Sequence, residues 1–184
     1  LRFSHSYYYS PLQDPAAALS AKPKRRATVS MGDLSLVRLK KAASSSSAAA
    51  AGALASSVLG VPGARVGIVG TGVQARLQAV HHASALDRDD LMVWGRNLGK
   101  CSLLASDLEA HGLKVEIAES AEELAERCRT IVTCTASHTP LLTRPMIQPG
   151  THVTAVGSDT PDKQELDPRI LGSADLVVVD SLSQ

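Results

Sequence analysis

Val66-Gly67-Ile68-Val69-Gly70-Thr71-Gly72-Val73-Gln74-Ala75 is the stretch from which the fold of this chain can be read. Apolar and small residues run straight into Gly70, Gly72 follows two places on, and a helix-like stretch begins. A strand buried on both faces reads as an uninterrupted apolar run, and the glycines let the chain turn tightly and approach a pyrophosphate closely. The following helix points its N–H groups and positive dipole end at that anion. Ala75 takes the third position of the pattern, where a small residue keeps helix and strand close. A glycine turn between any strand and helix imitates this arrangement, so its meaning rests on what lies downstream.

Leu91-Met92-Val93-Trp94 is a second short apolar run. It ends roughly 20 residues past the glycines, where a dinucleotide-binding fold reads the adenosine ribose. An NAD-preferring site places Asp or Glu there, but this chain has Gly95-Arg96-Asn97. No carboxylate repels a 2′-phosphate, and the planar fork of Arg96 suits one. NADP(H) is therefore expected over NAD(H); the alternative is an Arg96 that stacks on adenine or stands in solvent.

Composition fits an enzyme domain. The 184 residues leave room for one ordinary domain plus an appendage. A net charge of +1 gives no reason to expect nucleic acid or an anionic membrane as partner. No apolar run approaches bilayer-spanning length. Cys101, Cys128 and Cys134 lack metal-type pairs and read as buried free thiols of a reducing compartment, and a cytoplasmic location is expected. No metal site is expected, because the spacing of His81, His82, His111, His138 and His152 suits none. His138 is the histidine nearest a substrate loop.

The chain divides near residue 60. Residues 1–33 carry Tyr7-Tyr8-Tyr9, the cluster Lys22-Pro23-Lys24-Arg25-Arg26, several Ser and Pro, and scant acid. Such a low-complexity segment builds little core, so disorder or an organelle-targeting role is expected. Residues 34–60 include the Ala/Ser run from Ala42 to Ser57 and read as a linker helix, with Leu54, Val58 and Leu59 on neighbouring turns. From 61 to 184 strand and helix patterns alternate. Val73 to Leu86 and Gly99 to His111 read as helices, the second with Leu103, Leu104 and Leu108 on one face. Lys114 to Ala118, Thr130 to Thr135, Thr151 to Gly157 and Leu176 to Asp180 read as strands, and Ser120 with Glu123 caps a helix through Cys128. The alternation implies an α/β fold, a Rossmann-type doubly wound parallel sheet with helices on both faces. Its interesting loops follow Val69, Trp94, Thr135 and Gly157.

The stretch Thr151-His152-Val153-Thr154-Ala155-Val156-Gly157-Ser158-Asp159-Thr160-Pro161-Asp162-Lys163-Gln164-Glu165-Leu166-Asp167 resembles a signature of the ornithine cyclodeaminase/mu-crystallin family. Gly70 to Gln78, Val93-Trp94-Gly95-Arg96 and Thr135 through Leu141-Leu142 share the resemblance, which runs in unbroken order over residues 64–184. It implies a Rossmann domain, a second domain for substrate and dimerisation, bound NAD(P)(H), and amino-acid or cyclic imino-acid substrates. Cyclodeaminases of this kind convert ornithine to proline and ammonia without net redox change, whereas mu-crystallin-like members reduce ketimines.

The resemblance puts Asp159 at the position of the acid/base. In the cyclodeaminase reaction hydride leaves the α-carbon, the distal amine attacks the resulting imine, ammonia departs and the hydride returns. Each step moves a proton on or off nitrogen, which one carboxylate can shuttle. Read alone, an Asp before Thr-Pro is a turn residue. Gly70, Gly72, Val73 and Gln74 are the candidates for the pyrophosphate and Arg96 for the ribose. Thr135, Ala155, Val156 and Gly157 are those for the nicotinamide side, and Lys163 matches a cofactor-contacting lysine. Departures accompany the resemblance. Lys40 or Lys41 stands where the family has a substrate-gripping Arg, and a lysine lacks the bidentate fork. Residues 1–33 offer no counterpart of the upstream substrate residues, so an incomplete second domain and a fragment are expected. An ammonia lyase of the cyclodeaminase type is the first reading. A ketimine reductase or amino-acid dehydrogenase, and a non-catalytic NADP(H)-binding protein, are the alternatives.

Overall fold

The computed structural model describes residues 7–9, 47–158 and 161–179. Its elements, in chain order, are β1 (Tyr7–Tyr9), α1 (Ser47–Leu59), β2 (Val66–Val69), α2 (Val73–Leu86), β3 (Asp90–Trp94) and α3 (Leu98–Glu109). There follow β4 (Lys114–Ile117), α4 (Ala121–Arg127), β5 (Thr130–Thr133), a 3₁₀ turn (Arg144–Met146), β6 (His152–Ala155), α5 (Pro168–Gly172) and β7 (Val177–Val179).

The strand order is β4-β3-β2-β5-β6-β1-β7. β4, β3, β2, β5 and β6 run parallel, as the alternation of strand and helix patterns requires. From β2 the chain steps outward to β3 and β4, then returns to lay β5 on the other side of β2. The strand order reverses between β2 and β5, and ligands of such sheets bind outside the carboxyl ends at that point. This is the Rossmann-type fold expected from the sequence.

One edge of the sheet differs from the expected all-parallel pattern. β1 lies between β6 and β7 and is antiparallel to both, with Tyr8 opposite Thr154 and Val178. Those three tyrosines fall in the segment whose composition suggested disorder; consecutive aromatic residues suit a strand, and a mixed edge strand on a parallel sheet is common. The rest of 1–46, including the basic cluster and Lys40, lies outside the described residues.

Each face of the sheet has its own core. On one, Leu124 and Ala125 of α4 and Ile170 of α5 pack with Met92, Ile131 and Val153. On the other, Ala75 and Ala79 of α2 and Leu104 and Leu108 of α3 pack with Ile68, Leu91 and Val132. The buried side of α3 is Cys101, Leu104, Ala105 and Leu108, a helical i, i+3, i+4, i+7 stripe. Leu103 lies one residue off that stripe and is 73% exposed, which corrects its expected place on the buried face. Burial on α1 likewise falls on Ala49, Ala50, Ala53 and Ser56, while Val58 is exposed. Small residues let α1 approach α2 and β6 closely. Ser120 Oγ accepts the Glu123 N–H at 3.0 Å, capping α4 as expected.

Between α1, α2 and β6 lies a polar seam. His82 Nδ1–H donates to Gln78 O at 2.8 Å, which leaves Nε2 to accept the Ser56 hydroxyl at 2.9 Å. His152 Nε2 pairs with Thr154 Oγ1 at 3.1 Å. Burial holds His82 down to about 4 and His152 down to about 3, so both are neutral near pH 7. These histidines are core residues.

Candidate functional site

The strand ends line up. Trp94, Val69, Thr133 and Ala155 stand in one row across β3, β2, β5 and β6. The ladder continues one residue past that row: Gly70 N–H donates to Trp94 O at 2.8 Å, Cys134 N–H to Val69 O at 2.9 Å, and Val156 N–H to Thr133 O at 2.8 Å. Above it opens a cleft of about 620 Å³ at the switch point.

The two glycines of the β2–α2 turn serve different ends. Gly70 has φ +135°, and a Cβ there would meet Cys134 O at 2.8 Å, so the chain itself requires glycine. Gly72 is the N-cap of α2 with φ −89° and ψ −172°, a conformation open to any residue. A Cβ at Gly72 would meet nothing within 4 Å among the described residues. Nothing among the described residues demands glycine at this second position. What glycine leaves there is bare backbone facing the cleft at a helix N-terminus, a cradle that a pyrophosphate fits.

Most of the sequence-derived candidates meet around this one space. Gly70, Gly72, Val73 and Gln74 line it from the β2–α2 turn, Arg96 from the loop after β3, Thr135 from the end of β5. Val156, Gly157 and Lys163 line it from the far side. Ala155 does not: it is 2% exposed, within β6, a residue below the floor. Asp159 and Lys40 lie outside the described residues. His138 is off the cleft; its Nδ1 bonds Asp162 O at 2.8 Å on an exposed loop. Cys101, Cys128 and Cys134 are free and buried, and burial pushes the Cys128 thiol up to about 12.

Two residues escaped the sequence reading. Lys100 lines the cleft beside Arg96. Asn97 Oδ1 accepts the Lys100 N–H at 3.0 Å and so caps α3, placing Lys100 in its first turn. Arg96, Lys100 and Lys163 are the charged residues among the described lining, all cationic. The other is Glu165, 0% exposed beneath the floor, with its oxygens on Thr133, Thr135 and Gly157. Burial raises its carboxyl above the usual range, while those hydrogen bonds pull it back.

Among the described residues no group of three or more His, Cys, Asp or Glu side chains converges as a metal site, and no helix is long and apolar enough to cross a membrane.

The profile of the Ornithine cyclodeaminase/mu-crystallin family matches residues 27–184. An uncharacterised cyclodeaminase from Sinorhizobium fredii, y4tK, is 36% identical over 72% of this chain and 41% of its own length. The Thermococcus litoralis Δ1-pyrroline-2-carboxylate reductase, solved with NADH and L-proline, superposes with TM-score 0.64 at 27% identity, over 67% of this chain and 39% of that one. An archaeal alanine dehydrogenase dimer with bound NAD gives TM-score 0.60 at 30% identity, over 67% and 38%. The chain spans less than half the length of these relatives.

Proposed function

From the premise that this chain belongs to the ornithine cyclodeaminase/mu-crystallin family, we propose that it binds a nicotinamide dinucleotide in the switch-point cleft and serves an ornithine-cyclodeaminase-like reaction, amino acid to cyclic imino acid with release of ammonia. Gly72 carries the binding half: it lines the cleft at a helix N-terminus with open space around its Cβ position, where an anion reaches bare backbone. Arg96 and Lys100 flank the ribose end, where a bidentate guanidinium favours the 2′-phosphate of NADP(H) over NAD(H). Lys163 adds positive charge at the far side of the cleft.

A bound nicotinamide would supply the site that takes up and returns hydride. Asp159 is the residue we assign to the accompanying proton transfers, on the strength of the signature around it. It follows Ser158, whose Oγ accepts the Glu165 N–H at 3.2 Å at the edge of the floor. Lys40 is assigned to the substrate carboxylate because Lys40 or Lys41 stands where the family has a substrate-gripping Arg. A homodimer is proposed for the full-length protein, as in the archaeal alanine dehydrogenase.

A reductase of cyclic imino acids is the second reading, favoured by the likeness to the Thermococcus enzyme. The two part on one assay of the full-length protein. Ornithine-dependent release of ammonia and proline, abolished by Asp159→Asn with dinucleotide affinity intact, supports the first. Reduction of a cyclic imine by NAD(P)H without ornithine turnover replaces it by the second. A fully active Asp159→Asn variant moves the acid/base role elsewhere.

A further inference from the structure

The β5 and β6 ends are joined by the strand ladder only as far as the bond from Val156 N–H to Thr133 O. Beyond it the two chains separate into loops, and the next inward N–H groups, those of Thr135 and Gly157, meet at one carboxyl instead. Glu165 Oε1 accepts the Thr135 N–H at 2.5 Å, and Oε2 accepts the Gly157 N–H at 2.8 Å and the Thr133 hydroxyl at 2.9 Å. The Glu165 backbone is tied as well: its N–H donates to Ser158 Oγ at 3.2 Å and its carbonyl accepts the Leu141 N–H at 2.7 Å. Thr135 and Gly157 both line the cleft.

We propose that Glu165 is the positioning residue of the cleft floor, its buried carboxylate fixing the Thr135 and Gly157 backbones at the spacing on which the nicotinamide half of the dinucleotide rests. The proposal depends on the dinucleotide-binding reading above. Three features of the geometry point to it. Backbone N–H groups can only donate, and they face both oxygens, so the place requires an acceptor on each side. Gln has the shape of Glu but would turn an NH₂ group onto one of those donors; Asp is a methylene too short to span them. Gly157 is fitted to the same bracket, because a Cβ there would collide with the Thr135 backbone and Glu165 Oε1. Finally, burying a carboxyl is costly, and a sheet end needs no charge to hold it together. A buried carboxylate directly under a ligand cleft serves the cleft.

The titratable neighbour of Glu165 just past β5 is Cys134, whose thiol burial and then the Glu165 charge push far up, outside the acid range. On its own loop stand Lys163, at the cleft, and Asp162, paired with His138 at 3.4 Å on the exposed side. Asp159, two residues past Gly157, is a further carboxyl of that loop; the Thr135 and Gly157 amides, bonded to Glu165 itself, separate its titration from that one.

The test uses this chain as wild type, Glu165→Gln and Thr133→Val. It reads NADH and NADPH affinity, thermal unfolding, and the Thr135 and Gly157 amide proton resonances against pH. Both wild-type amides should sit well downfield and titrate together, with dinucleotide affinity falling in step as the carboxyl is protonated. Glu165→Gln should bind roughly tenfold or more weakly and lose the shared titration. Thr133→Val, which keeps both backbone bonds, should bind within about threefold of wild type. A folded Glu165→Gln protein with wild-type affinity overturns the proposal. If that variant does not fold, wild-type affinity that stays constant through the amide titration overturns it equally. Wild type that binds neither dinucleotide overturns the function reading, and this proposal with it.

Discussion

At the β3 side of the cleft Arg96, Asn97 and Lys100 stand exposed around the first turn of α3, whereas at the β5–β6 side Thr135 and Gly157 are pinned from below by a fully buried carboxyl. The exposed side offers solvated charged side chains around the Asn97 cap. The buried side offers backbone, placed by long-range hydrogen bonds. Exposed cations can be exchanged with little strain, so that side can choose between dinucleotides. A braced floor tolerates no change in spacing, so on the proposed reading that side governs whether a dinucleotide is held.

Glycine substitutions sharpen the contrast most. Gly157→Ala should cost about 3 kcal/mol of stability, because the added carbon meets fixed backbone and the Glu165 carboxyl. A denaturant midpoint equal to wild type would mean that the floor is not braced. Gly72→Val should do the reverse. With open space around its Cβ it should leave unfolding within about 1 kcal/mol of wild type, yet weaken dinucleotide binding roughly 100-fold.

Acid should strike the buried histidine seam between α1, α2 and β6. His82 and His152 ionise near 6.5 when unfolded but only at about 4 and about 3 when folded. The unfolded chain therefore binds more protons, and their contribution is complete above pH 6.5 and lost as pH falls toward 4. Glu165 acts with the opposite sign, since its raised pKa favours the folded state on acidification. Two histidines outweigh one carboxyl, so stability falls between pH 6.5 and 4.5. Glu116 and Glu123, held below 4.5 by Arg127, Arg65 and neighbouring N–H groups, add their loss only below that window. Unfolding free energy that is flat from pH 6.5 to 4.5 would contradict the neutral, buried state of the histidines.

The smallest effect belongs to the exposed side. Arg96→Ala should reduce the preference for NADPH over NADH by roughly tenfold and change stability by no more than about 0.5 kcal/mol. An unchanged preference, from competitive titration of the two dinucleotides, would remove Arg96 from the ribose pocket.

The same contrast decides what could be read from the sequence. Helix α2 was legible residue for residue, because a glycine turn and a run of helix formers are local signals. Arg96 was found by its distance from Gly72, and the Ser120 cap by its partner three residues on. Glu165 was not legible: it reaches Thr135 and Thr133 across 30 and 32 residues, a contact that exists only once β5 and β6 are side by side. β1 was missed for the same reason, since Tyr7–Tyr9 pair with strands at the other end of the chain. Leu103 shows a local failure. Three leucines close in sequence suggested one face, but 100° per residue puts only Leu104 and Leu108 on the stripe that Cys101 and Ala105 complete.

The central claim is that a nicotinamide dinucleotide lies in the switch-point cleft, and the chain carries its own probe. Trp94 is the sole tryptophan and lines that cleft. Titrating NADPH or NADH into this chain while exciting tryptophan should give saturable energy transfer to the reduced nicotinamide, and folded Gly72→Val should lose it. A folded wild-type protein that shows no saturable transfer to either dinucleotide would contradict the account.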